Sequence, residues 1–284
     1  MQASIAPGVR SEVRVERPLV YRHSFVTRLT HWLGTLAFVV LVMSGLQIFN
    51  AASYLDAADK SDPARRVLSI EGGADAAGSP FGRLRILGVT VGTTHLLGFT
   101  DNGMGGETVR AFPGWITLPG YQDLADGRRW HLFFAWLLVL AGFAYVIGGI
   151  ARRDLRELIL QPSDLPKLWP MQAYYLRLRA HPPAYGKYNP LQKLAYTSVI
   201  FALMPLVVLT GLALSPGIDA VAHPLLWVFG GRQFARLWHF VVMVLLLGFV
   251  ATHLMLVVST GFVNNLRSML DGRYRLGEHE GQGS

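Results

Sequence analysis

The stretch that decides the fold is LWHFVVMVLLLGFVATHLMLVVSTGFVNN, residues 237–265. It contains no Asp, Glu, Lys or Arg, and it exceeds the roughly 20 apolar residues that a helix needs to cross a hydrocarbon layer about 30 Å thick. Three further charge-free stretches lie at residues 29–55, 130–151 and 194–218. The sequence therefore predicts an all-α membrane protein, a four-transmembrane-helix bundle with helices at about 29–50, 129–151, 193–214 and 236–264.

The composition fits a chain whose surface partly faces lipid. Of its 284 residues, 51% are hydrophobic and 15% are charged, whereas soluble domains have about 25% charged residues. Cysteine is absent. This excludes disulfides, covalently attached haem, and any iron–sulfur cluster or thiolate zinc site held by this chain.

The basic residues indicate the topology. Residues 1–28 hold five basic and two acidic residues, and residues 152–193 hold eight and three. Cytoplasmic connections are enriched in Lys and Arg, so we expect both segments, and both termini, on the cytoplasmic side. The formal charge of +8 is then mainly a topology signal, and it no longer supports nucleic-acid binding.

Residues 1–284 are predicted to form a single membrane domain, with long connections on both sides of the membrane. Residues 51–128 are predicted to form a long extracytoplasmic cap loop with β-like character around Leu84–Phe99. The cap is either a docking surface for a partner or a lid over the membrane domain, and the sequence leaves both open. Residues 152–192 form a cytoplasmic connection whose aromatic and basic residues are typical of the lipid headgroup region.

Histidines inside the charge-free stretches are the candidate functional residues, because ionisable groups in a membrane are costly. His239 and His253 are fourteen positions apart, so at about 100° per residue they lie within about 40° of one helix face and about 21 Å apart along the axis. With alternating helix directions, His239 shares the outer side with His131, and His253 shares the cytoplasmic side with His31. The four histidines thus form two depth-matched pairs.

Two facing imidazoles suit a six-coordinate b-type haem that transfers electrons. We therefore predict two non-covalent haems, with His31 and His253 on the inner iron and His131 and His239 on the outer iron. Arginine precedes three of these histidines by three positions and shares their helix face, where it can neutralise haem propionates. The predicted propionate residues are Arg28, Arg128, Arg129 and Arg236.

Small residues near the outer side give a weaker signal. Gly45 and Gly211, in Ser44-Gly45-Leu46 and Thr210-Gly211-Leu212, would let a flat macrocycle approach the backbone. Close packing between helices explains these glycines equally well. A proton-coupled transporter with a histidine relay remains the alternative from another class, although a relay needs neither pairs nor flanking arginines.

Three motifs carry a resemblance to a known family. They are Arg28-Leu29-Thr30-His31-Trp32, Arg128-Arg129-Trp130-His131, and Arg236-Leu237-Trp238-His239 followed by His253. Across all four helices they resemble the di-haem cytochrome b subunits of bacterial respiratory complexes: formate dehydrogenase gamma subunits, thiosulfate reductase cytochrome b subunits and nickel–iron hydrogenase cytochromes b. The resemblance implies the same two histidine pairs and a bacterial inner membrane.

A second match concerns quinone. The run from Gly186 to Lys193, GKYNPLQK, is similar to Gly-Lys-Tyr-Asn-x-x-Gln-Lys of the formate dehydrogenase gamma subunit. The resemblance implies that Asn189 hydrogen-bonds a quinone carbonyl near the inner haem, although Leu191 replaces a glycine of that family. Asn189 before Pro190 is also a helix N-cap signal that needs no quinone.

The length of the 51–128 connection is closer to thiosulfate-reductase-type subunits, which implies an extracytoplasmic molybdopterin or iron–sulfur oxidoreductase as partner. The predicted function is electron transfer between a quinone pool and that partner. A stand-alone cytochrome b quinol oxidase is the nearer alternative.

Overall fold

The computed structural model describes residues 18–153, 155–186, 188–222 and 224–275. Lys187 of the predicted quinone motif and the basic residues before position 18 lie outside these ranges. Four helices are long and apolar enough to span a membrane. Membrane helices 1 to 4 are Phe25–Phe49, Leu124–Ala151, Pro190–Leu214 and Arg232–Ser259. The prediction of four membrane-spanning helices is confirmed.

All four membrane helices start three to five residues before the predicted positions, and polar residues cap the first three. The side chain of Ser24 accepts from the backbone N–H of Thr27, and the side chain of Asp123 accepts from that of Asp126. The predicted starts come from the stretches without charged residues, and such a stretch leaves out a helical first turn that contains polar or charged residues. Membrane helix 4 ends earlier than expected because Gly261 has a φ of 109°, a left-handed conformation that favours glycine.

Membrane helix 3 is not uniform. It consists of α-helix at Pro190–Ser198, a π-helical turn at Val199–Leu203 and α-helix at Met204–Leu214. Pro205 is the second residue after the π turn and has no N–H to continue the α-helical ladder. The missing N–H of this proline explains the irregular turn.

Short helices complete the helical part of the described chain: Leu155–Leu158, Leu165–Tyr175, Pro216–Val221, Pro224–Val228 and Phe262–Leu270, with 3-10 turns at Pro63–Arg65, Gly114–Ile116 and Pro162–Asp164. Strand β1 (Leu19–Tyr21) pairs with β8 (Arg273–Arg275). The segment before membrane helix 1 and the segment after membrane helix 4 therefore lie on the same side of the bundle.

The connection between membrane helices 1 and 2 is built of strands, so the all-α fold class needs a correction. Strands β2 to β5 form an antiparallel sheet and β6 pairs with β7; their bounds are Tyr54–Asp56, Arg66–Ala74, Pro80–Ile86, Val89–Gly92, Gly98–Asp101 and Glu107–Arg110. We call residues 54–110 the β segment. The predicted β-like stretch at Leu84–Phe99 covers only part of it, because the longest strand, Arg66–Ala74, contains Gly72 and Gly73, which weaken a strand signal, and Glu107–Arg110 is short.

The β segment packs on one end of the bundle. Leu55, Ile70 and Ala111 bury against Phe49 at the end of membrane helix 1, and Phe240 of membrane helix 4 completes this cluster. Nearby, Arg110 is 3% exposed and donates hydrogen bonds to Gln47 Oε1, Thr117 Oγ1 and the Gly120 carbonyl. The segment is thus fixed to the helices by an apolar cluster and a buried guanidinium.

Asp56 organises the interior of the β segment. Its carboxylate is fully buried and accepts from Arg66 Nε at 2.9 Å and from the Asp62 backbone N–H at 2.9 Å. Burial alone would raise the pKa of Asp56, but the hydrogen bonds from Arg66 and Asp62 outweigh it and lower the pKa. The stability contributed by this carboxylate is therefore fully present above the ordinary Asp range, about pH 4, and is lost as pH falls through the lowered pKa.

We expect Asp56→Asn to lower the free energy of unfolding of the β segment by about 1–3 kcal/mol at pH 7 and to make it less sensitive to acid, because a buried charged acceptor is lost. Protease susceptibility of the segment across pH measures both effects. Glu107→Gln is the matched control, since Glu107 forms an exposed pair with His95 and exposed pairs contribute at most about 1 kcal/mol. Equal losses in the two variants would contradict the assignment.

Candidate functional site

The structure brings the four predicted histidines together in two pairs. In the outer pair, the ring centres of His131 and His239 are 6.1 Å apart, and in the inner pair those of His31 and His253 are 6.4 Å apart. An imidazole nitrogen lies about 2.0 Å from a bound first-row metal, so two rings on opposite sides of one iron have centres roughly 6 Å apart. Both pairs have the spacing that bis-imidazole coordination requires.

A hydroxyl group fixes the tautomer of each histidine in the outer pair. Ser44 Oγ lies 3.1 Å from His131 Nδ1 and donates its proton to the Val40 carbonyl at 2.6 Å. Thr210 Oγ1 lies 3.0 Å from His239 Nδ1 and donates to the Leu206 carbonyl at 2.7 Å.

A hydroxyl has one proton, and here the backbone takes it, so each hydroxyl accepts from Nδ1–H. The lone pair is then on Nε2, as it is in a metal-binding histidine.

Glycine follows each of these hydroxyl residues for a steric reason. A Cβ at Gly45 would lie 3.3 Å from Cε1 of His131, and a Cβ at Gly211 would lie 3.3 Å from Cε1 of His239. The prediction that these glycines let a macrocycle approach the backbone stays a prediction. In the structure they lie against the imidazole rings and give those rings space.

The inner pair has different surroundings. The ring of Phe249 stacks on His253 at 6.0 Å, and Trp32 meets His31 edge-on at 5.3 Å. Among the described residues, neither Nδ1 of His31 nor Nε of Arg28 has a hydrogen-bond partner, although both atoms are buried. Two orphaned polar atoms one helical turn apart indicate a site for a further polar group, as a haem propionate would supply.

The predicted propionate arginines occupy unlike positions. Arg28 also donates from Nη1 to the Leu270 carbonyl. Arg236 donates to the Ala52 carbonyl at 2.7 Å, which ties membrane helix 4 to the start of the β segment. Arg128 is exposed, and Arg129 is 79% exposed and pairs with Asp126 at 2.8 Å. Only Arg28 and Arg236 are therefore partly buried beside the histidine pairs.

Asn189 caps membrane helix 3. It is 5% exposed; its Oδ1 accepts from the Gln192 backbone N–H at 2.9 Å, and its Nδ2 donates to the Tyr175 hydroxyl at 3.2 Å. This N-cap is the second of the two roles that the sequence allows. One proton of Nδ2 remains for another acceptor.

A row of aromatic rings connects the Asn189 segment to the inner pair. Ring centres are 5.7 Å apart between Tyr188 and Tyr196, 6.4 Å between Tyr196 and Phe249, and 6.0 Å between Phe249 and His253. Sequence reasoning missed this row, because its members come from the segment before membrane helix 3, from that helix and from membrane helix 4, and their contact depends on how the two helices pack.

The donor set suits a macrocyclic metal group better than a bare ion. Among the described residues, no three His, Asp or Glu side chains gather where they could hold a metal ion. Two imidazoles leave a first-row metal with unfilled positions, and haem supplies four nitrogens of its own. The tautomers, the ring spacing and the orphaned atoms beside His31 all fit this group.

Comparison with known proteins agrees with the geometry. The family model described as prokaryotic cytochrome b561 matches residues 22–272, which include all four membrane helices. A relative in Azospira oryzae, named "Putative protein-methionine-sulfoxide reductase subunit YedZ1", is 26% identical over 231 residues, 81% of this chain and 86% of the relative. The predicted resemblance to cytochrome b subunits is confirmed. The chain thus belongs to the prokaryotic cytochrome b561 family and is an integral membrane haem protein of electron transfer.

Proposed function

We propose that this chain is a di-haem b cytochrome that moves single electrons between a quinone near the inner pair and an oxidoreductase docked on the β segment. The spacing of the two histidine pairs carries the proposal. Both pairs share membrane helix 4, on which His239 and His253 are about 21 Å apart along the axis. Haem would supply one-electron chemistry at each pair.

The residues around each pair have distinct roles in this proposal. The four histidines hold the irons through neutral imidazoles, and the partly buried Arg28 and Arg236 neutralise propionates. Arg128 and Arg129 are weaker candidates for that role, because they lie at an exposed helix start. Gly45 and Gly211 let the imidazoles of the outer pair fit between the helices.

The quinone site is proposed beside Asn189. Its remaining amide proton can donate to a quinone carbonyl, while the aromatic row from Tyr188 to Phe249 leads from this segment to His253. The capping bond holds Asn189 in place, so capping and quinone binding are compatible.

The partner is proposed on the β segment, which covers the bundle end next to the outer pair. The relative's printed name, a reductase subunit, supports an oxidoreductase partner. A molybdopterin or iron–sulfur enzyme is the chemical class we propose. The location is the bacterial inner membrane with both termini cytoplasmic, supported by the basic 152–193 connection and by the pairing of β1 with β8.

Single histidine variants test the two sites separately. We expect His253→Ala to remove the inner haem alone and His239→Ala the outer haem alone, each leaving about half the haem because one axial ligand is lost. Haem content and reduced-minus-oxidised spectra of purified protein measure this. His95→Ala is the control, since His95 lies in the β segment and pairs with Glu107. Unchanged haem content in both ligand variants would contradict the proposal, and a colourless wild-type protein would favour a histidine-relay transporter.

The quinone role of Asn189 can be separated from its capping role. Serine is also a good N-cap but has no amide group, so we expect Asn189→Ser to keep the helix and both haem spectra while lowering the rate of haem reduction by quinol about tenfold. Asn189→Ala should also destabilise the protein by about 1 kcal/mol. A wild-type reduction rate in Asn189→Ser would leave Asn189 with the capping role alone.

A further inference from the structure

We propose that Ser44 and Thr210 are positioning residues that lower the reduction potential of the outer haem by accepting hydrogen bonds from both of its axial histidines. The proposal rests on the proposed function in one respect, that His131 and His239 bind haem iron. It gives a role to two hydroxyl groups on membrane helices 1 and 3, whereas the two histidines of the outer pair lie on membrane helices 2 and 4.

The same arrangement occurs on both sides of the outer site. Membrane helix 1 supports His131 of membrane helix 2, and membrane helix 3 supports His239 of membrane helix 4. The hydroxyl-to-Nδ1 distances are 3.1 and 3.0 Å. A Cβ added at the glycine after each hydroxyl residue would lie 3.3 Å from Cε1 of the histidine. Two separate helix pairs thus place a hydroxyl acceptor and a glycine against the imidazole in the same way.

The hydroxyl groups are rigidly placed. Ser44 is completely buried, as is Thr210, and each donates to the carbonyl four residues earlier in its own helix. This bond fixes the side-chain rotamer and turns an oxygen lone pair toward Nδ1–H. Both hydroxyls can therefore act only as acceptors toward the imidazoles.

An acceptor on Nδ1–H increases the electron density of the ring and the basicity of Nε2. A more basic ligand stabilises ferric over ferrous iron, so the reduction potential falls. In the one-electron step no bond to the iron forms or breaks, and the Nδ1 proton stays on the ring.

The inner pair provides an internal comparison. Its His31 has a buried Nδ1 without a hydrogen-bond partner among the described residues. A hydroxyl such as those of Ser44 and Thr210 is therefore not bonded to that ring nitrogen. The hydroxyl support seen at the outer pair is therefore absent from His31 in the described part of the chain, and we expect changes to Ser44 or Thr210 to alter the outer haem.

The test is a spectroelectrochemical titration of the purified full-length protein with its haems bound. We expect the midpoint potential of the outer haem to shift upward in Ser44→Ala and in Thr210→Val, and further upward in the double variant, while the inner haem keeps its midpoint. The conservative variants Ser44→Thr and Thr210→Ser, which keep an acceptor oxygen, should restore the wild-type value. A merely structural role would not produce this pattern of shift and rescue.

Thr252→Val is the matched control, because Thr252 precedes His253 and its hydroxyl bonds to the Gly248 carbonyl at 2.9 Å; both midpoints should stay unchanged. Thr210→Val keeps the side-chain shape and gives the readout if Ser44→Ala fails to fold. An unmoved outer midpoint in a folded variant with both haems bound would overturn this proposal alone. A wild-type protein without haem would overturn the proposed function instead.

Discussion

The rest of the structure depends on the close approach of paired imidazoles from different helices, whose ring centres are 6.1 and 6.4 Å apart, a distance that one metal can bridge. Membrane helix 4 supplies one histidine to each pair, so it is the common axis of both sites; membrane helix 1 supplies the partner of His253, and membrane helix 2 supplies the partner of His239. This requirement explains why glycines occur where helices press on the outer imidazoles. A side chain at Gly45 or Gly211 would push the ring that its neighbouring hydroxyl orients.

The two ends of the bundle are built differently around this axis. At the outer pair, both imidazoles are supported by hydroxyl groups, and the β segment covers the helix ends through the Phe49 cluster and the Arg236–Ala52 bond. At the inner pair, the neighbours are aromatic rings and orphaned polar atoms of Arg28 and His31. In our proposal, the covered, hydrogen-bonded end exchanges electrons with a docked protein, and the end lined by aromatic rings receives a small apolar reactant, quinone.

Much of this could be predicted from the sequence, because membrane spans and histidine depth follow from local patterns. The length of the four stretches without charged residues predicted four helices. The spacing of His239 and His253, together with alternating helix directions, predicted which histidines lie close to each other. The role of Ser44 and Thr210 could not be predicted, since it needs the rotation of each helix about its axis. The extent of the β segment was also missed, because its longest strand, Arg66–Ala74, contains two glycines and the strands after Ile86 have only four residues each. For Asn189 the sequence offered two roles, and the structure shows the N-cap.

The central claim is that two bis-imidazole haems are bound by one chain, and it is tested most directly by counting haem and determining its spin state in the purified wild-type protein. The account predicts about two haems per chain, both low-spin and six-coordinate, since two imidazoles close both axial positions of each iron. A single haem per chain, or a high-spin centre with an open axial position in fully loaded protein, would contradict it.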